Sequence, residues 1–232
     1  DPGHGLGALA ADAEHLGLAM HWPRQAVFLE LPEHADPLPC QARLLAALGG
    51  RAEHWSAALG ERLVFWCRPV AHADTLEHWL ERADARGWGV ARLCAGDPAH
   101  DLAELRASAC AARDLLDYAR SRLPGRRVVT LDGHRLASLL FSQRDSWQVR
   151  QLLAPLQRLL DHDPQGSLAA TLESWCAHDG HAQACAQALG IHRNSLRYRL
   201  ERIASISGLD LARLEHRQQL LLGLQLLVPR RG

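Results

Sequence analysis

Residues 182–203 read AQACAQALGIHRNSLRYRLERI, and this stretch decides how the C-terminal part of the chain is built. A short alanine-rich helix runs to Leu189, Gly190-Ile191 interrupt it, and a second helix follows. That is the length and punctuation of a helix-turn-helix, whose second helix enters the major groove of DNA. At about 100° per residue, Leu196, Leu200 and Ile203 share one side of the second helix and anchor it to its domain. Asn194, Tyr198 and Glu201 point the opposite way, flanked by Ser195, Arg197 and Arg202. Asn pairs with adenine, Arg with guanine or phosphate, and Ser and Tyr hydroxyls with phosphate oxygens. The helix N-terminus adds its dipole for a nearby phosphate. The pattern predicts base and groove contacts from Asn194, Ser195, Arg197 and Tyr198, with Arg193, Arg199 and Arg202 on phosphates. Glu201 repels phosphate, so it is expected to face away from the backbone or to read a cytosine amino group. An arginine-rich, solvated helix in an ordinary bundle is the competing reading of the same periodicity.

Working outward, five helical stretches fill the region from Trp147 to Val228: 147–161, 167–178, 182–189, 193–206 and 211–227. Asp163-Pro164-Gln165-Gly166 separates the first two, with Ser167 placed as an N-cap. Gly208 stops the fourth helix, and Asp210 is placed to cap the fifth. That last helix is leucine-rich on more than one face. One face must cover the helix-turn-helix, and the other is either a dimer surface or buried in its own domain.

Upstream the pattern alternates. Leu6, Leu9, Ala13 and Leu16 recur at helical spacing in a lead-in helix over 1–22 that ends before Pro23. A strand is expected over Ala26–Leu31, and a helix over Gln41–Leu48 that ends at Gly49-Gly50. WSAAL (55–59) and RLVFWC (62–67) flank Gly60-Glu61 as a hairpin. A helix over 73–86, a strand over 88–94, a long helix over 100–122 and a strand over 128–131 complete the set. This order predicts an α/β sandwich, helices covering a mostly antiparallel sheet over residues 23–141, followed by an all-α domain over 145–230. The boundary falls near 142–146. Charge divides in the same way: residues 1–149 hold 16 Arg against 19 acidic residues, whereas 150–232 hold 10 Arg against 7.

Composition removes several functions. The 26 basic residues are all arginine, so a Schiff-base or P-loop lysine is excluded. The longest apolar run, Leu220 to Val228, is far short of the roughly 20 residues that a bilayer needs. With no basic-plus-apolar leader at its start, the chain is expected to be cytoplasmic and off the membrane. It begins at Asp1-Pro2 without a methionine and is read as part of a longer protein. The 6 cysteines form no C-x-x-C pair and are read as buried free thiols. Trp66, Trp88 and Trp175, on apolar stretches, are read as core residues.

ALGIHRNSLRYRLERI followed by SGLDL resembles the C-terminal helix-turn-helix of the carbohydrate diacid regulator and purine-catabolism regulator families. The family motif runs A-L-x-I-H-R-N-T-L-x-Y-R-L-x-R-I, then T-G-L-D-L. It is met at Ala188, Leu189, Ile191, His192, Arg193, Asn194, Leu196, Tyr198, Arg199, Leu200, Arg202 and Ile203, with Ser195 for the threonine. Gly190 replaces a bulkier residue, and His181 and Gln183 replace an Asn and a Ser. LAADAEHLGLAMHWPRQAVFLEL (9–31) resembles the family's lead into a central domain similar in fold to nucleotide cyclase (GGDEF) domains. The resemblance implies a bacterial transcriptional regulator of catabolic genes that binds double-stranded DNA as a homodimer. It also implies an effector, a sugar diacid or related metabolite, bound by a further N-terminal domain that is missing here.

The rival readings are a small-molecule sensor or dimerisation module whose central domain binds the effector, and, behind it, a nucleotide cyclase-like enzyme. Cyclase chemistry needs paired acidic metal ligands and a Gly-Gly-acidic turn on the hairpin. Leu59-Gly60-Glu61-Arg62 offers one glycine and one acid, so the domain is read as degenerate and non-catalytic. Cys176, His178, His181 and Cys185 are possible zinc ligands within ten positions, but helical geometry disperses them, and no metal or cofactor is assigned. His192 is expected at the start of the helix or on a phosphate.

Overall fold

The computed structural model describes residues 21–33, 35–47, 55–59, 62–70 and 73–228. The lead-in helix falls almost wholly outside them, as do the Gly49-Gly50 stop and the turn at Gly60-Glu61. The chain separates into two compact units, one ending at Ser142 and one running from Gln143 to Arg230.

In the first unit the described residues form a five-stranded sheet: β1 (Arg24–Glu30), β2 (Trp55–Leu59), β3 (Arg62–Cys67), β4 (Arg92–Ala99) and β5 (Val128–Thr130). Their spatial order is β2-β3-β1-β4-β5. β1 pairs antiparallel with β3 and β4, β2 antiparallel with β3, and only β5 runs parallel to its neighbour β4. The mostly antiparallel sheet expected from the sequence is what forms. β1 is buried from Arg24 to Leu29, as a strand flanked on both sides and covered on both faces must be.

One face of the sheet carries Val27, Leu29, Leu63, Phe65 and Leu93. These pack with Leu44 of helix α1 (Pro37–Ala47) and with Leu76 and Leu80 of α2 (Ala73–Ala85). Each fully buried leucine contributes about 1.5–3 kcal/mol of transfer free energy. The long helix α3 (Leu102–Arg122) packs on β1 and β4 with Leu105, Ala112, Leu116 and Ala119 buried at helical spacing. Asp101 caps it by accepting the Glu104 N–H at 2.8 Å. Gly96 in β4 permits the close approach of α3, because a β-carbon there would overlap the Ser108 carbonyl oxygen.

Three expectations for this unit need correction. The strand expected over 88–94 starts at Arg92 and runs through Gly96-Asp97-Pro98. Gly87 and Gly89 both have positive φ, which turns Trp88-Gly89 into a loop, and Gly-Asp-Pro reads as a turn although Pro98 pairs with Gln25. Helix α1 starts at Pro37 rather than Gln41, and Asp36 Oδ1 accepts the Leu38 N–H at 3.0 Å. Helix α4 (Arg135–Ser142) forms where the sequence pattern predicts no element: eight residues behind Asp132-Gly133 are too few for periodicity to separate helix from loop. It is held by Phe141, edge-on to Tyr118 with ring centroids 5.8 Å apart.

The second unit is helical throughout its described residues: α5 (Trp147–Asp161), α6 (Ser167–Ala177), α7 (Ala182–Ala188), α8 (Arg193–Ser207) and α9 (Leu214–Leu227). Leu156, Leu159, Leu168, Leu172, Ile203, Leu220 and Leu224 form its core. Two caps differ from the sequence reading. Ser167 is the first residue of α6, and the capping carboxylate is Asp163, which accepts the N–H groups of Leu168 and Ala169, both at 2.8 Å. Asp210 accepts the Ala212 N–H at 2.8 Å and so closes a turn, while α9 begins three residues after Leu211, at Leu214. Not all cysteines are buried as expected. All six are free thiols, but Cys110 is exposed and Cys40, Cys67 and Cys176 are only partly covered.

Candidate nucleic-acid interface

Helices α7 and α8 meet through a tight turn. Gly190 has φ +63°, a conformation that costs a side-chain-bearing residue about 1 kcal/mol or more. The N–H of Ile191 returns to the Ala186 carbonyl at 3.0 Å and closes the end of α7. The glycine that departs from the family motif therefore sits where the backbone is left-handed. His192 then caps α8: its Nδ1 accepts the Asn194 N–H at 3.2 Å, the helix-start role expected of it.

A small core holds the pair together. Cys185 and Ala186 of α7 and Leu196 of α8 are buried, with Trp175, Leu189, Ile191 and Leu200 packed against them. Leu196 and Ile203 are buried and Leu200 half-buried, the anchoring side that the sequence predicts. Arg193, Asn194, Ser195, Arg197, Tyr198, Glu201 and Arg202 are exposed, with Tyr198 at 61%.

The exposed face of α8 is a ridge between two grooves. On one side a groove of about 460 Å3 is bounded by Trp175 and Ala182 and by Arg193 and Arg197 of α8. On the other, a groove of about 380 Å3 runs between Ser167 and Leu168 of α6 and Asn194, Tyr198 and Arg202. Four arginines, Arg193, Arg197, Arg199 and Arg202, thus edge the grooves from the helix itself. Glu201 lies one turn from Arg197, 3.9 Å from its Nε, and offsets part of that charge. Arg199 differs from the other arginines in being half-buried, with Nη1 donating to the Thr171 hydroxyl at 3.3 Å.

Ser167, Thr171 and Trp175 join the site although the sequence around them carries no DNA-binding pattern. All three belong to α6, which tertiary packing lays beside α8, and no local pattern in the sequence signals that neighbour. Cys176, His178, His181 and Cys185, weighed as possible zinc ligands, are held in separate surroundings. His178 Nδ1 lies 2.8 Å from the Ser174 carbonyl and His181 Nδ1 lies 2.9 Å from the His178 carbonyl, while Cys185 is buried in the α7–α8 core. Among the described residues no three His, Cys, Asp or Glu side chains are grouped to hold a metal. None of the described helices is long and apolar enough to cross a membrane.

Fold and ridge define a class of protein, a GGDEF-like α/β domain joined to a helix-turn-helix domain. The chain matches the GGDEF-like domain over residues 3–118 and the PucR C-terminal helix-turn-helix domain over residues 168–226. It is 34% identical to the carbohydrate diacid regulator of Escherichia coli (strain K12) over 155 residues, which is 67% of this chain and 40% of that protein. An uncharacterised protein of Thermomonospora curvata is 38% identical over 85 residues, 37% of this chain and 46% of that protein. The regulator of polyketide synthase expression from Bifidobacterium adolescentis superposes with a TM-score of 0.40 at 15% identity, over 91% of this chain and 88% of that one. The chain belongs to the GGDEF-like domain family and carries a PucR-type C-terminal helix-turn-helix. It spans less than half the length of the curated relatives that it matches.

Proposed function

We propose that this chain is the DNA-reading part of a bacterial transcriptional regulator, acting in the cytoplasm. Residues 145–230 bind promoter DNA through the helix-turn-helix at 182–206. Asn194, Ser195, Arg197 and Tyr198 contact base edges and the groove, while Arg193, Arg199 and Arg202 contact phosphates. The observation that carries this reading is the ridge: an exposed helix face with Asn, Ser and Tyr along its crest and arginines at its edges. A single such ridge covers little DNA, which supports binding as a homodimer to paired half-sites.

The same reading makes the α/β domain over 23–141 a non-catalytic unit for signal relay or self-association. The relative named a carbohydrate diacid regulator supports control of catabolic genes by a sugar diacid or related metabolite. The chain covers 40% of that relative, and the effector is expected to bind a part of the regulator outside this chain.

The test is binding to fragments of the protein's own genomic neighbourhood at about 50 mM and about 200 mM salt, with protein concentration varied. Tight, salt-sensitive binding to one promoter supports the reading and names the target genes. Weak binding that is equal on all fragments, from a sample whose mass shows a dimer, overturns it.

A further inference from the structure

The α/β unit contains a half-open cavity of about 180 Å3 between its sheet and the first turns of α2, with the exposed Arg68 and Thr75 in its lining. Val27, Phe65 and Cys67 form its floor, and Thr75, Leu76 and Trp79 its roof. Protein interiors pack about as densely as organic crystals and hold few voids larger than a water molecule. A cavity of this size persists only if its walls are kept from closing on it.

Here the walls are tied. The Val70 N–H, in the connection from β3 to α2, donates to the Gln25 side-chain oxygen at 2.8 Å. The nitrogen of the same amide donates to the Gly96 carbonyl at 2.7 Å, so the connection is pinned to two strands by one buried side chain. Trp79 packs against Trp88 with ring centroids 6.2 Å apart, which keeps its ring from swinging inward. Val27 and Phe65 are directly opposed on neighbouring strands, and both are buried.

The lining chemistry selects the occupant. Aliphatic and aromatic groups dominate it, and water held inside would need two to four polar partners. Burial pushes the Cys67 thiol up to about 11, so it remains an uncharged wall at neutral pH. The one formal charge in the lining is on Arg68, an exposed residue, so a charged ligand would lose its hydration with nothing inside to replace it. Apolar cavities of about 150 Å3 in proteins stay dry and take up benzene.

We propose that this cavity is a binding site for one small, neutral, apolar molecule, the size of a benzene ring with a short alkyl substituent. It lies in a different unit from the helix-turn-helix and does not rest on the DNA-binding reading. The α/β unit then carries a ligand site of its own, separate from any effector site in another domain.

The experiment is a titration of the isotope-labelled chain, without DNA, with toluene and separately with benzoate, followed by amide chemical shifts. Toluene is expected to give saturable shifts confined to the amides of residues 25–29, 64–70 and 75–80, with a dissociation constant of about 1 mM or tighter. Benzoate at the same concentrations is expected to give none. Leu76→Phe fills the cavity and should weaken toluene binding at least tenfold. If that variant does not fold, Thr75→Leu, which adds volume from the exposed start of α2, must do the same. Non-saturable or scattered shifts, preference for benzoate, or unchanged toluene affinity in the folded filled variant overturns the proposal. Because no DNA is present, failure here leaves the DNA-binding reading standing, and failure of DNA binding leaves this site standing.

Discussion

Arg199 reaches back from helix α8 to Thr171, its Nη1 donating to the threonine hydroxyl at 3.3 Å. Thr171 is fully buried, and its own hydroxyl donates to the Ser167 carbonyl at 2.7 Å, so the arginine completes a chain of polar contacts into α6. That separates Arg199 from Arg193 and Arg202, which stand exposed on the same helix.

The difference has a measurable consequence. Arg193→Ala or Arg202→Ala should weaken DNA binding about equally on all sequences, lower the salt slope by about 1, and leave stability within about 0.5 kcal/mol. Arg199→Ala should also destabilise the helical unit by about 1–2 kcal/mol, because a charge-assisted hydrogen bond and its packing are lost. Urea unfolding of the three variants beside salt-dependent binding tests this. Equal stability for all three would remove the structural role given to Arg199.

Arg197→Ala combined with Tyr198→Ala should abolish specific binding and keep the helicity. Both side chains are exposed, and the buried residues that hold the helix pair together are Cys185, Ala186 and Leu196, so the fold does not rest on them. Loss of one good base contact costs about 1–3 kcal/mol of discrimination, so the pair should reduce the preference for the operator over random DNA by tenfold or more. An operator affinity equal to that of the parent protein would sink the assignment of these two residues.

Asp163 carries the start of α6. Its carboxylate is buried and accepts two backbone N–H groups, and the Ser167 hydroxyl donates to it at 3.3 Å. Asp163→Ala should cost about 1–3 kcal/mol, near the upper end for a capping residue because more than one donor is orphaned. Ser167→Ala, at the position that local sequence picks as the cap, should cost about 0.5 kcal/mol or less. The order of the two losses in denaturant unfolding is the check. Equal losses would mean that the serine shares the cap.

That pair also shows what the sequence could and could not reveal. Long amphipathic segments were legible because burial imposes their period: the stripe from Leu105 to Ala119 and the anchoring residues Leu196, Leu200 and Ile203 lie where the period puts them. The exposed face of α8 was legible for the same reason, as its complement. The cap of α6 was not, because its donors can be reached from five or six residues upstream, and only the folded turn shows that Asp163 does so. Helix α4 and the far end of β4 were hidden by Asp-Gly and Gly-Asp-Pro, local turn signals that tertiary structure overrides. The groove residues on α6 depend on how α6 packs against α8, which no local pattern encodes.

Acid should expose the role of the ion pair at the end of the sheet. Arg135 of α4 grips the Asp97 carboxylate with both terminal nitrogens, Nη2 to Oδ1 at 2.8 Å. The hydrogen bonds from Arg135 hold the Asp97 carboxyl below the usual carboxylate range, against a weaker opposing effect of burial. A carboxyl lowered on folding adds stability that is fully present above its unfolded value of about 3.9, and that is lost as the pH falls through the lower folded value. Arg135→Gln should therefore be less stable than the parent at neutral pH, with the gap closing below about pH 4. The side chains are 63% and 47% exposed, so solvent screening limits the neutral-pH gap to about 1 kcal/mol or less. The Asp84–Arg127 pair lowers its carboxyl in the same direction but is common to both proteins, so the difference between parent and variant isolates Asp97. Unfolding in urea at pH 7, 5 and 3.5 measures it, and a gap that stays constant across that range would show that Arg135 acts through packing on α4 and not through charge.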